Sequence, residues 1–321
     1  MNYLRSTSLL AALFLLNITA LAQGVSRAEC FPFENLSPDK RKAAEELLLK
    51  AMDEAALYTL VGGIKPMSSG IKSFNIRTSL PRISVDEANK AIAELGGKNA
   101  EELTPAERGR LSEAKQTVER RGLLSDIEDV REILQQWRCG DDIFAAVQHY
   151  NATFEGRRFL DVIVFSRPAV RRMIGEKEDF FSRWGITQGS HPLEIVYAVE
   201  NEKTSARNGG YGYLFGYPDH AVRFFVEASN EENLTGQFVT RDFISIPTYA
   251  RETNLFVYAV PKGYTSTAVD ASLKERSLKV LNEYRKRREN YVGEGKRGIL
   301  ELVRDWFCNS DGQCSQKNAK F

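Results

Sequence analysis

Four cysteines behind an apolar leader constrain this chain more than any other feature. Residues 1–22 carry Arg5 in a short polar head, an apolar core from Leu9 to Leu16, and Ala20-Leu21-Ala22 before Gln23. That is the pattern of a secretory signal peptide cleaved near Ala22-Gln23. No cysteine directly follows the cleavage point, so a lipid anchor is not expected. Cys30, Cys139, Cys308 and Cys314 form an even set, which in an exported chain favours disulfides over metal ligands or nucleophiles. Three pairings are open. Cys308 and Cys314 flank Asn309-Ser310-Asp311-Gly312-Gln313, a turn-prone segment that can close on itself, which leaves Cys30 for Cys139. A bridge across residues 30–139 is worth about 4–5 kcal/mol in the chain-entropy model.

Loss of the leader removes Arg5 alone among the charged residues and leaves equal numbers of basic and acidic side chains. A neutral balance argues against nucleic acid as a partner and against electrostatic attachment to a membrane, since both need a basic excess. No later stretch approaches the roughly 20 consecutive apolar residues of a membrane span. The expectation is a soluble, secreted or periplasmic protein.

Element signals divide the chain near residue 150. Ser37-Pro38 reads as an N-cap with proline in the first turn. Apolar residues at helical spacing from Ala44 to Leu60 then run to Gly62-Gly63. Ser84 with Glu87, Thr104 with Glu107 and Ser125 with Glu128 match the capping box and predict three further helices. From Phe159 the period changes: Phe159 to Phe165, Phe238 to Ile246 and Asn254 to Val260 read as strands, and Leu193 to Val199 as a fourth. Helices Val269 to Tyr291 and Lys296 to Phe307 close the chain. The fold class expected is α+β: a helical N-terminal layer packed with a sheet of about four strands and C-terminal helices. Residues 23–321 are taken as one domain, with a possible subdivision into a helical 31–150 and a sheet-containing 151–321.

The stretch from His191 to Glu227 concentrates glycines, tyrosines and two of the three histidines. Asn201 to Gly212 reads as a polar, glycine-rich loop, and Pro218 to Ser229 as a helix whose first turn holds Asp219 and His220. Tyr211, Tyr213, Phe215 and Tyr217 alternate, which aligns their rings if the segment is extended. A cleft around residues 209–220 follows, with Tyr211, Tyr213 and Tyr217 as ligand-binding candidates. The bland reading of the same rings is ordinary core.

Three other constellations are weaker. Ser69-Gly70-Ile71-Lys72 fits the serine-x-x-lysine spacing of penicillin-recognising enzymes, but Ser37 with Lys40 and Ser112 with Lys115 fit as well. The looser alternative is an anion-binding turn using Lys65, Ser68 and Ser69. His149, His191 and His220 lack short ligand spacing, although Asp219, Glu194 or Glu200 could join them on zinc. No metal or other cofactor is expected. The basic run Arg285 to Arg288 reads as a solvated helix face. The leading expectation is therefore a protein that binds a peptide, glycan or protein partner through the cleft. The alternative is a secreted hydrolase with His220 or His191 as base and Asp219 or Glu194 as its orienting carboxylate, with or without a metal.

Overall fold

The structure, a computed structural model, describes residues 24–321; the leader lies outside the described residues. In chain order, β1 (Val25–Ser26) precedes α1 (Pro38–Lys50), which passes through a π turn at Ala51–Ala55 into α2 (Leu57–Leu60). Strands β2 (Met67–Ser68) and β3 (Ser73–Arg77) follow, then α3 (Val85–Leu95), α4 (Pro105–Gln135), and the long strands β4 (Ile143–Phe154) and β5 (Arg157–Ser166). Five helices come next: α5 (Arg167–Glu176), α6 (Glu178–Phe181), α7 (Pro192–Glu200), α8 (Thr204–Leu214) and α9 (Asp219–Thr235). The hairpin β6 (Arg241–Ile246) and β7 (Phe256–Pro261), helices α10 (Ala268–Tyr291) and α11 (Ile299–Phe307), and β8 (Gln313–Cys314) complete the chain. The class is α+β.

Strand β5 organises the molecule because it is buried on both faces. It pairs antiparallel with β2 and β3 along one edge and with β4 along the other. Alternation sends Leu160, Val162 and Val164 into one core with α1, α4, α10 and α11, and Ile163 and Phe165 into a second with α5, α7 and α8. A strand covered twice reads as the near-continuous apolar run seen in the sequence. Strands β6 and β7 form a separate hairpin, so the four-stranded sheet draws β2, β3 and β4 from the part expected to be mainly helical.

Other boundaries follow local chemistry. Pro38 occupies the first turn of α1, and helix ends at Leu60, ahead of Gly62-Gly63 and Pro66. The Ser84 and Thr104 capping boxes open α3 and α4 as expected. The third, at Ser125, opens nothing, because α4 runs unbroken through Gly122 to Gln135. Both disulfides are those the spacing favours, Cys30–Cys139 and Cys308–Cys314, and no free cysteine remains among the described residues. No helix among them is long and apolar enough to cross a membrane.

The largest correction falls on residues 193–212. The expected strand is helix α7: His191 Nδ1 accepts from the Leu193 amide at 3.3 Å, Glu194 accepts from the His191 amide at 3.3 Å, and Pro192 fills the first turn. Ile195, Val196 and Val199 then share one buried face while Tyr197 points to solvent. The expected glycine loop is helix α8, whose glycines let helices approach. A Cβ on Gly210 would lie 2.6 Å from Val199 Cγ2 of α7, and one on Gly212 2.8 Å from Val222 Cγ2 of α9. Val199 is fully buried and branched, so it has no room to yield. Gly210→Ala should therefore cost about 1–3 kcal/mol even after the helix-propensity gain. Gly122→Ala, in open space on α4, should add about 0.5–1 kcal/mol. Urea midpoints of the two variants check the contrast; equal shifts would defeat it.

Candidate functional site

Helix α8 fixes the aromatic side chains of the stretch from His191 to Glu227. Tyr211 and Phe215 are four residues apart on one helical face and stack with centroids 5.9 Å apart and planes at 20°. Phe215 leads to Tyr217 at 5.9 Å, and Tyr217 to Tyr258 of β7 at 5.8 Å. These four rings, with Phe225 of α9 and Phe243 of β6, line a pocket of about 250 Å³ between α8, α9 and the hairpin. Gly212, also in its wall, is the second glycine that draws α8 and α9 together.

Tyr213 faces away from this pocket. Its ring sits 5.1 Å from Phe180, with Lys177 Nζ 5.4 Å above it. Alternation held only for an extended segment; on a helix, residues two apart diverge. Polar capacity in the pocket is small. The Tyr211 hydroxyl donates to Glu200 Oε2 at 2.6 Å and accepts from Gln148, and that of Tyr258 donates to Asp270 at 2.6 Å. The Tyr217 hydroxyl has no hydrogen bond among the described residues, and burial pushes its pKa up to about 12.

The four catalytic candidates do not converge. Asp219 pairs with Lys177 at 2.6 Å. His191 and Glu194 serve the start of α7, the His191 ring resting edge-on against Phe144 at 4.7 Å. Burial, reinforced by Arg167, lowers the His191 pKa, against the opposing charge of Glu194. His220 stacks on Tyr264 at 5.2 Å. Its Nε2 lies 3.1 Å from Asp270 Oδ1 but without hydrogen-bond alignment. Burial opposes ionisation of Asp270, yet hydrogen bonds from Tyr258, Thr267 and Tyr264 outweigh it and hold the carboxyl at about 2. Asp270 thereby caps α10. Among the described residues no hydroxyl or thiol hydrogen-bonds to the His191 or His220 ring, and no group of three or more His, Cys, Asp and Glu is placed to hold a metal.

The segment from Lys65 to Ser69 is not an open anion-binding turn. The Ser68 hydroxyl is fully buried between Thr59 Oγ1 at 2.7 Å and the Ala55 carbonyl at 2.9 Å. Lys65 is buried as well, with Nζ 4.7 Å from the Phe256 centroid and 5.7 Å from that of Phe215. Ser69 lies between β2 and β3, so no helical turn brings Lys72 onto it.

Sequence reasoning missed Phe225, Phe243 and Tyr258, half of the pocket's aromatic wall. Phe243 stands beside Arg241 and Asp242 on a short hairpin strand and is 62 % exposed, a placement that only the fold reveals. A larger recess lies elsewhere, a groove of about 750 Å³ beside β4. No protein-family model matches the chain, and comparison with curated proteins and with solved structures finds no significant similarity.

Proposed function

We propose that the protein is exported and binds a protein or peptide partner by taking an apolar or aromatic side chain into the Tyr211–Tyr217–Phe243 pocket. One observation carries the reading: an aromatic pocket of side-chain size opens beside phenylalanines that a solvated surface does not need. Phe225 and Phe243 line it, and Phe238 stands near Phe225 across the Arg241 guanidinium, which lies 4.4 Å from the Phe238 ring and 5.8 Å from that of Phe225. Contiguous exposed aromatics mark interaction surfaces, and a pocketed aromatic anchor supplies much of the binding energy at such sites. A glycan fits less well, because the hydroxyls of Tyr211 and Tyr258 are already engaged. Two disulfides support export. The hydrolase reading rests only on the approach of His220 to Asp270.

Titration with N-acetyl-tryptophanamide and with the apolar dye 1-anilinonaphthalene-8-sulfonate tests the pocket. Both should bind and compete. Phe243→Ser and Tyr217→Ala should each weaken binding about tenfold or more, the usual cost of losing an aromatic anchor, with circular dichroism unchanged. Binding indifferent to both substitutions would sink the proposal.

A further inference from the structure

The groove beside β4 is built along a sheet edge that no other described strand pairs. In β5 the amides of Val162 and Ser166 donate to Lys72 and Pro66, on the β2/β3 side, so the alternate residues of β5 bond to β4. The partners that exchange those bonds are Phe144, Ala146 and Gln148. Ala145, Val147 and His149 therefore turn their N–H and C=O groups outward, with no backbone partner among the described residues. The next outward amide, at Asn151, is met by a carboxylate: Glu200 Oε1 accepts from it at 2.7 Å. The chain thus closes one end of the edge and leaves roughly four residues of ladder open, about 14 Å at strand rise.

Two helices wall this edge. Helix α4 contributes Leu134 and Arg131, and α7 contributes Leu193, Val196 and Tyr197, the last 73 % exposed. Gln148 lines the same groove; it is 4 % exposed and its Oε1 has no hydrogen-bond partner. Charged groups of both signs line the groove, Arg131 of α4 and Glu194 and Glu200 of α7, and Glu200 is already engaged by the Asn151 amide and the Tyr211 hydroxyl. Arg131 is in no ion pair among the described residues, and its Nη2 lies 3.4 Å from His149 Nε2. A long unpaired edge with apolar walls is a hazard that proteins ordinarily blunt with charge, proline or a covering element; here the edge itself carries none of these.

We propose that the β4 edge binds an extended peptide as a fifth strand, with β-branched or apolar side chains against α4 and α7 and an acidic group reaching Arg131. Main-chain hydrogen bonds to Ala145, Val147 and His149 supply affinity, and the two walls read alternate side chains. A bare strand fits the recess, whereas the edge of a second copy, with its own helices on both faces, meets α4 and α7 first. The site is separate from the aromatic pocket and does not depend on it.

Fluorescence polarisation with fluorescein-labelled heptapeptides tests the proposal, using alternating valine and threonine flanked by glutamate or lysine at either end. Glutamate-bearing peptides should bind, and the form with lysine at both ends should bind at least about tenfold more weakly. Arg131→Glu should reverse that preference. Val147→Pro, which deletes an outward amide without touching the β5 ladder, should abolish binding. If that variant fails to fold, N-methylation of the peptide's pairing amides makes the same test on the unaltered protein. Three results would overturn the inference: no binding at about 1 mM peptide, binding indifferent to both N-methylation and Arg131→Glu, or a dimer by light scattering that Val147→Pro dissociates.

Discussion

Replacing Lys65 with methionine is expected to stabilise the protein at pH 7 by about 1–3 kcal/mol, although the substitution removes a side chain at the centre of the fold. Lys65 is 6 % exposed, and its ammonium makes no ion pair and no hydrogen bond among the described residues. The faces of Phe215 and Phe256 offer cation–π attraction worth about 0.5–2 kcal/mol, less than the cost of desolvating the charge. Burial accordingly lowers the Lys65 pKa from 10.5 to about 8. Methionine keeps the volume and the rings' packing while leaving no charge behind.

The pH dependence has a definite sign. Between about pH 8 and 10.5 the unfolded chain holds the Lys65 proton and the folded chain does not, so stability rises with pH across that window. Below pH 8 both states are protonated and the penalty is constant. Tyr58, Tyr150, Tyr211 and Tyr284 work in the opposite direction. Burial raises their folded values, and stability is lost above about pH 10 as the unfolded chain's tyrosines ionise. The clean window is therefore pH 8 to 10. Urea unfolding of both proteins there should show the difference between the Lys65→Met variant and wild type shrinking as pH rises. A difference that stays constant, or a variant less stable than wild type, would contradict the reading.

Most of what the sequence left ambiguous lies in one kind of place, where tertiary contact overrides local preference. The helix at Ser37-Pro38 and the boxes at Ser84 and Thr104 are legible because their signals act within a single turn. Ser125 failed as a start because a capping box competes with continuation, and α4 had already paired its backbone through that point. Helix α7 was hidden because its cap is a histidine and because Ile195, Val196 and Val199 suit a buried strand as well as a helix. Helix α8 was hidden more deeply: Gly209, Gly210 and Gly212 argue for a loop until Val199 and Val222 show what they make room for. That misreading still led to part of the pocket wall, since Tyr211 and Tyr217 line it on a helix and its trailing turn. The other wall, Phe225, Phe243 and Tyr258, comes from chain up to 47 residues away from Tyr211, and no local pattern joins them. The β4 edge was illegible for the same reason, because which strand stays unpaired is a property of the sheet.

The two disulfides should separate sharply when removed. Cys30–Cys139 spans 109 residues and Cys308–Cys314 spans 6, so the loop-entropy model assigns about 4–5 kcal/mol to the first and about 2 kcal/mol to the second. Native contacts other than the bridge hold the same segment. The Phe31 amide donates to the Arg138 carbonyl at 2.7 Å, and Arg304 of α11 donates to the carbonyls of Cys30 and Phe31, both at 2.9 Å, while pairing with Glu34 at 2.7 Å. These bonds hold the N-terminal segment against α4 and α11 in the folded state, which places most of the bridge's effect in the unfolded chain. Replacing Cys30 and Cys139 with alanine should then lower stability by about 3–5 kcal/mol and also raise the urea m-value, because the freed unfolded chain expands and exposes more surface. Replacing Cys308 and Cys314 should cost about 1–2 kcal/mol with m unchanged. Equal losses from the two pairs, or a long-bridge variant whose m-value does not rise, would move the effect into the folded state and show that the contacts of Arg304 and Phe31 depend on the covalent link.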